Sequence, residues 1–286
     1  MQSPGLSADY CIGRLNSETD PFNMNVSTAS QTYLQRFSLA GQVALITGSA
    51  RGLGLCMARA MAGCGAHVLL NGRNIEATEA AAHALRDEGL AATALPFDVA
   101  DDEAAAHAFN RIDTEHGRLD ILVNNVGARN RKTLQAITAA EIRALIDTDL
   151  VAGMLLSKLA AERMVRQGAG RLITITSVAG ELARPGDAVY PAAKQGLTGM
   201  MRALAVEFGP FGITSNAIAP GTFATETNTA MVTDPEVYQR LAARNPTGRW
   251  GQPDEIAGAA VFLASPAASY INGQVLAVDG GLSILF

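Results

Sequence analysis

The chain reads Arg171-Leu-Ile-Thr-Ile-Thr-Ser177 and, thirteen residues after that serine, Tyr190-Pro-Ala-Ala-Lys194. A tyrosine and a lysine four residues apart lie on one face of a helix, so both side chains reach a single site. A phenol with an ordinary pKa of about 10 is a poor base at neutral pH, and an adjacent ammonium favours its ionised form. Tyr190 is therefore a candidate acid and base, with Lys194 tuning it. Ser177, at the end of a strand, can hydrogen-bond an oxygen that passes between alcohol and carbonyl. The same spacing also occurs by chance on helix surfaces, so its meaning depends on what else the chain brings nearby.

A second constellation points to an anion. Immediately after a β-branched run stands Thr47-Gly48-Ser49-Ala50-Arg51-Gly52-Leu53-Gly54, followed by the helical pattern LCMARAMAGCG. Glycine suits such a turn because a Cβ would keep the backbone from a pyrophosphate, whose charge then sits at the positive end of the helix. Where the second strand ends, dinucleotide folds place an acid to hold a free ribose 2′-hydroxyl or an arginine to hold a 2′-phosphate. Here HVLLN runs into Gly72 and Arg73, and Arg51 lies inside the glycine turn. Two guanidiniums can clamp a phosphate bidentately, which favours NADP(H) over NAD(H); the bland alternative is two solvated surface arginines.

The elements that must position these groups are legible as seven short runs: VALIT, AHVLLN, ATALPFDV, LDILVNN, GRLITITS, ITSNAIAP and QVLAVDG, separated by Ala-rich helical stretches. Such alternation predicts a single Rossmann-type α/β domain, a doubly wound, seven-stranded parallel sheet with helices on both faces. Ligands then lie outside the carboxyl ends of the strands. Residues 1–37 are polar, carry Pro4 and Pro21, and lack the apolar stretch of a signal peptide. They read as an extension outside a catalytic domain at 38–286, and 222–247 as a partly helical substrate lid.

Together the glycine turn, Asn124-Asn125-Val126-Gly127, Ser177 with Tyr190 and Lys194, and the Pro220-Gly221 turn resemble the short-chain dehydrogenase/reductase family over residues 38–286. The resemblance implies reversible hydride transfer between a nicotinamide cofactor and a secondary alcohol, with Ser177, Tyr190 and Lys194 catalytic. It implies a cofactor held by Gly48, Ala50, Arg51, Gly52, Leu53 and Gly54 of the turn, by Arg73, and by Asp98 and Val99 near the adenine. Asn125, Gly127, Tyr190, Lys194, Pro220, Gly221 and Thr225 complete the implied set, Thr225 near the carboxamide. Two positions depart from the pattern. Val126 replaces an alanine and narrows the space beside the cofactor. Asp149 stands where the family usually has an asparagine holding a water that connects the lysine to solvent. An ionised aspartate accepts hydrogen bonds and cannot donate them, and its charge stabilises the Lys194 ammonium. Asp149 is thus expected to keep the relay with a changed pH dependence.

Within the family the likeness is nearest to gluconate 5-dehydrogenases and related sugar-acid or polyol reductases. Phe37 to Gly41 with LITGSARGLG, Ser177 to Leu182 with Arg184, and Gly248 to Ile256 and on to Val278-Asp-Gly-Gly281 carry it. After the fourth strand stands the cationic run Arg129-Asn130-Arg131-Lys132, in which Arg131 can clamp a carboxylate; its alternative is a solvated loop. Glu181 and Arg184 can bind hydroxyl and carboxylate groups or form a simple salt bridge. Met231, Val232 and Tyr238 in the lid suit an apolar ketone instead, so a carbonyl or 3-oxoacyl reductase is the alternative reading. A nucleotide-binding homologue without catalysis has only the Asp149 exchange in its favour.

A net charge of −5 argues against a nucleic-acid footprint, and no uninterrupted apolar run reaches the roughly 18 residues of a membrane span. Cys11, Cys56 and Cys64 show no metal-ligand spacing, so no metal site is expected and the thiols fit a reducing cytoplasm. Members of the family are commonly homotetramers, and the apolar end Gly281 to Phe286 suits burial against a neighbouring subunit.

Overall fold

A computed structural model describes residues 33–182 and 185–285, so residues 1–32 of the extension and the candidate Arg184 lie outside the described residues. The main compact unit begins at Arg36. From there β1 (Val43–Ile46) leads through the glycine turn into α1 (Gly52–Gly63), followed by β2 (His67–Leu70), α2 (Ile75–Asp87), β3 (Ala92–Ala94), α3 (Asp102–His116) and β4 (Ile121–Asn124). Helix α4 (Ala139–Ile146) passes through a π turn at Asp147–Val151 into α5 (Ala152–Gln167). Then come β5 (Gly170–Ile175), α6 (Val189–Phe208), β6 (Ile213–Pro220), the short α7 (Thr229–Val232) and α8 (Pro235–Ala242), α9 (Ala257–Ala264) and β7 (Val275–Val278).

The seven strands form one parallel sheet in the order β3-β2-β1-β4-β5-β6-β7. Each of the seven apolar runs supplies one strand. ATALPFDV contributes only Ala92–Ala94, because Pro96 has no N–H with which to continue a ladder. Neighbouring residues of β1 face opposite layers. Ala44 and Ile46 pack with Met57 and Met61 of α1 and with Val261 and Ala264 of α9. Val43 and Leu45 pack with Phe109 and Ile112 of α3 and with Leu156 and Met164 of α5. Covered on both sides, the central strands read as continuous apolar runs rather than as alternating ones.

The strand order reverses between β1 and β4, and the crevice outside those strand ends is where an open parallel sheet takes ligands. Asn71, directly after β2 and 1% exposed, holds this edge in shape. Its Oδ1 accepts from the Gly48 N–H at 3.2 Å, while its Nδ2 donates to the carbonyls of Leu95 at 3.3 Å and Phe97 at 3.0 Å. Asn71→Ala leaves those buried groups unpaired and is expected to cost about 2–3 kcal/mol. Urea unfolding checks this: a midpoint unchanged from the parent would contradict the assigned role.

Candidate active site

The turn between β1 and α1 is shaped for a close approach. Gly48 and Gly52 have φ of 60° and 59°, the left-handed region that favours glycine. A Cβ on Gly54 would lie 2.4 Å from the Gly48 carbonyl oxygen, so the helix can start there only with glycine. Asn125 ties the end of β4 to the same turn, its Nδ2 donating to the Thr47 and Gly48 carbonyls at 2.8 and 3.1 Å. Helices α2, α3 and α4 begin on the side-chain caps Asn74, Asp101 and Thr138, whereas α1 has no side-chain cap and no acid in its first turn. Its N–H groups and positive dipole end are thereby left for an anion.

Arg51 is exposed beside this turn, and Arg73, 80% exposed, lies 3.8 Å from the Asp98 carboxylate. Val99 is buried next to Asp98. The segment after β6 approaches from the other side, with Glu226 Oε2 3.5 Å from where a Cβ on Gly52 would stand. Gly221 joins that segment to the sheet by donating its N–H to Val278 O at 3.0 Å, and Pro220 ends β6. Thr225 follows, half-buried, just before the turn Glu226–Asn228.

Ser177, Tyr190, Lys194 and Asp149 come together. Ser177 begins the short turn Val178–Gly180, its Oγ accepting from the Ala179 N–H at 3.1 Å, and its side chain hydrogen-bonds Tyr190. Lys194, 3% exposed on α6, donates from Nζ to Ile175 O at 3.1 Å and stands 5.6 Å from the centre of the Tyr190 ring. Asp149 sits in the π turn, 1% exposed, its Oδ1 accepting from the Ala128 N–H at 2.6 Å. Gly127 makes room for the meeting: a Cβ there would lie 3.0 Å from Lys194 Nζ and 3.9 Å from Asp149 Oδ2.

Burial dominates the electrostatics of this cluster. It pushes the Tyr190 phenol above its ordinary value, although the Ser177 hydrogen bond and the Arg129 charge pull it down; Asp149 and Asp187 push it further up. Burial pushes Lys194 down, opposed by Asp149. It pushes Asp149 up, opposed by the Ala128 N–H and by Lys194. From sequence alone Lys194 is the cation expected to ease ionisation of Tyr190. In the structure Arg129 also pulls the phenol down, and the Lys194 charge acts on Asp149 as well.

The cationic run after β4 does not form one patch. The Arg129 guanidinium lies 4.5 Å from the centre of the Tyr190 ring, and its Nε and Nη2 both donate to Oδ2 of the buried Asp187, Nε at 2.7 Å. Asn130 and Lys132 both bond Glu141, whose carboxyl Lys132 and then Thr138 hold down at about 2. Arg131 lies beside the segment after β6, its Nη1 3.7 Å from Met231 Sδ. Glu181 is exposed after the Ser177 turn. Tyr238 of α8 stacks on the fully buried Trp250, ring centres 5.8 Å apart, and its carbonyl accepts the indole N–H at 3.2 Å. Sequence reasoning passed over Asn71 and Asp187. A polar residue closing an apolar run was the available signal for Asn71, but no spacing links Asp187 to an arginine 58 residues away.

Residues 48–283 match the family model described as enoyl-(acyl carrier protein) reductase. Gluconate 5-dehydrogenase of Gluconobacter oxydans is 42% identical over 248 residues, covering 87% of this chain and 97% of that one. For 5-keto-D-gluconate 5-reductase of Escherichia coli the identity is 38% over 248 residues, 87% of this chain and 98% of the relative. The crystal structure of a gluconate 5-dehydrogenase from Burkholderia cenocepacia in complex with NADP and tartrate matches with a TM-score of 0.85 at 42% identity, covering 89% of this chain and 100% of that chain. Shared over nearly the whole folded length and built on the same sheet, this likeness places the chain in the short-chain dehydrogenase/reductase family, whose members are NAD(P)-dependent oxidoreductases acting on CH–OH groups.

Proposed function

We propose that the chain is an NADP(H)-dependent oxidoreductase that interconverts a secondary alcohol of a sugar acid or polyol with the corresponding ketone, as its gluconate 5-dehydrogenase relatives are named for doing. The observation that carries the reaction class is the convergence of Ser177 and Lys194 on Tyr190 at the carboxyl edge of the sheet. The residues present fit a dinucleotide: an uncapped helix start, a turn closed to side chains at Gly54, and Arg73 beside Asp98. Gly48, Ala50, Arg51, Gly52, Leu53 and Gly54 would hold the diphosphate, and Arg51 and Arg73 the 2′-phosphate. Asp98 and Val99 would hold the adenine, and Asn125, Gly127, Pro220, Gly221 and Thr225 the nicotinamide side. When bound, the cofactor accepts or supplies the hydride.

The protein's share is proton traffic and position. Tyr190 Oη takes the alcohol proton in oxidation and returns it in reduction. Ser177 Oγ hydrogen-bonds the same substrate oxygen, and Lys194 sets the local charge. Asp149, by its charge, sets the pH at which this cluster titrates. Residues 222–247, carrying α7 and α8, act as the lid over the glycine turn. The adjacent Ile284 and Leu285 of the apolar C-terminal segment, 85% and 54% exposed, support a homotetramer. A cytoplasmic setting fits the free thiols Cys56 and Cys64. Among the described residues no helix is long and apolar enough to cross a membrane.

NADPH- and NADH-linked reduction of a panel of sugar ketoacids and apolar ketones tests the reading. Turnover confined to sugar acids and favouring NADPH is expected, with that preference lost in Arg73→Ala. Turnover of apolar ketones alone would overturn the substrate class. For Asp149 the sign follows from its charge: the carboxylate raises both Tyr190 and Lys194. Asp149→Asn therefore lowers both, and the alkaline-activated limb of alcohol oxidation shifts to lower pH, whereas superimposable pH–rate profiles would remove Asp149 from the cluster.

A further inference from the structure

We propose that Glu226 is a gate on the cofactor site: its carboxylate stands over the glycine turn that takes the diphosphate, so the dinucleotide and Glu226 compete for the start of α1. The inference rests on the dinucleotide reading above and adds to it a residue that works against binding. Glu226 Oε2 lies 3.5 Å from where a Cβ on Gly52 would stand. Apart from the adjoining residues and the helix's own backbone, no other atom of the described residues comes within 4 Å of that point. Gly52 opens α1, which has neither a side-chain cap nor an acid in its first turn. The positive end of this helix therefore meets an acid brought from another element, the segment after β6. Cys56, one turn along α1 on the same face, feels that charge too: burial raises its thiol, Arg59 pulls it down, and Asp254 and Glu226 raise it further.

The backbone that carries Glu226 is tied, whereas its carboxylate is not. Phe223 is 4% exposed, and on either side of it the Gly251 N–H donates to Thr222 O and the Ala224 N–H to Gly251 O, both at 2.9 Å. Asn228 Nδ2 donates back to Phe223 O at 2.9 Å, and Thr229 Oγ1 donates to Glu226 O at 2.8 Å. The exposed Glu226 carboxylate has no hydrogen-bond partner among the described residues. A diphosphate arriving at the turn thus repels a side chain that can swing aside while its stem stays in place. Two like charges a few ångströms apart at an exposed site repel modestly, and salt screens them. Glu226 accordingly weakens the grip on the dinucleotide without touching its adenine end.

Calorimetric titration of the parent and Glu226→Gln with two ligands tests this. NADP+ carries the diphosphate, whereas adenosine 2′-monophosphate keeps the adenine and the 2′-phosphate without it. At low ionic strength Glu226→Gln is expected to bind NADP+ roughly three- to tenfold more tightly than the parent, with the affinity for adenosine 2′-monophosphate unchanged. The gap between the two proteins should narrow as salt is added. Unchanged or weaker NADP+ binding in Glu226→Gln would overturn the proposal. Equal tightening toward both ligands would overturn it as well, because the carboxylate would then act as a general surface charge. A parent that binds NAD+ alone contradicts the NADP(H) preference, and the same comparison made with NAD+ and adenosine still decides the role of Glu226. A parent that binds neither dinucleotide would overturn the cofactor reading, and this proposal with it.

Discussion

Four charged side chains, Lys194, Asp149, Arg129 and Asp187, surround one phenol where burial works against the ionised state. Leaving a buried charge without its counterpart costs several kcal/mol, and among the described residues the cluster sets two cations against two anions. Arg129 and Asp187 touch directly, while Lys194 and Asp149 act on each other across the space left by Gly127. Tyr190 stands among them with its pKa raised, because two anions and desolvation outweigh Ser177 and Arg129. This balance makes the phenol responsive: a charge added or removed nearby moves its proton affinity more than it would in water.

Every member of the set comes from the same edge of the sheet. The loop after β4 brings Gly127, the Ala128 N–H and Arg129. β5 ends at Ile175, whose carbonyl takes the Lys194 proton donor, and Ser177 follows it. Helix α6 carries Tyr190 and Lys194 one turn apart, and the π turn before α5 supplies Asp149. π turns are rare insertions in α-helices that frequently occur at functional sites, and this one places a buried aspartate inward. On the other side of β4 the glycine turn, held by Asn71 and Asn125, leaves an uncapped helix start facing the same crevice. One edge thus carries the uncapped helix start and the cluster of Ser177, Tyr190 and Lys194 side by side.

Much of this was legible before any coordinates. The seven strands followed from apolar runs because both faces of the sheet are covered, and Tyr190 with Lys194 followed from the period of a helix. What stayed illegible depended on distance in sequence. Arg129 was visible only as one cation of a run, and its pairing with Asp187 became apparent only once β4 and the loop before α6 were side by side. The run itself is divided in a way its spacing does not show, since Glu141 at the start of α4 takes Lys132 and Asn130. The π turn, too, has no pattern in the sequence that distinguishes it from an ordinary helix.

The central claim is that Tyr190 exchanges the proton in a site assembled around it. Tyr190→Phe keeps the ring under Arg129 and removes only the hydroxyl, so NADPH affinity measured by fluorescence titration should stay close to the parent while kcat for ketone reduction falls by roughly 10²–10⁴-fold. A variant that retains turnover within a few fold of the parent, with the fold intact, would show that the proton moves through another group.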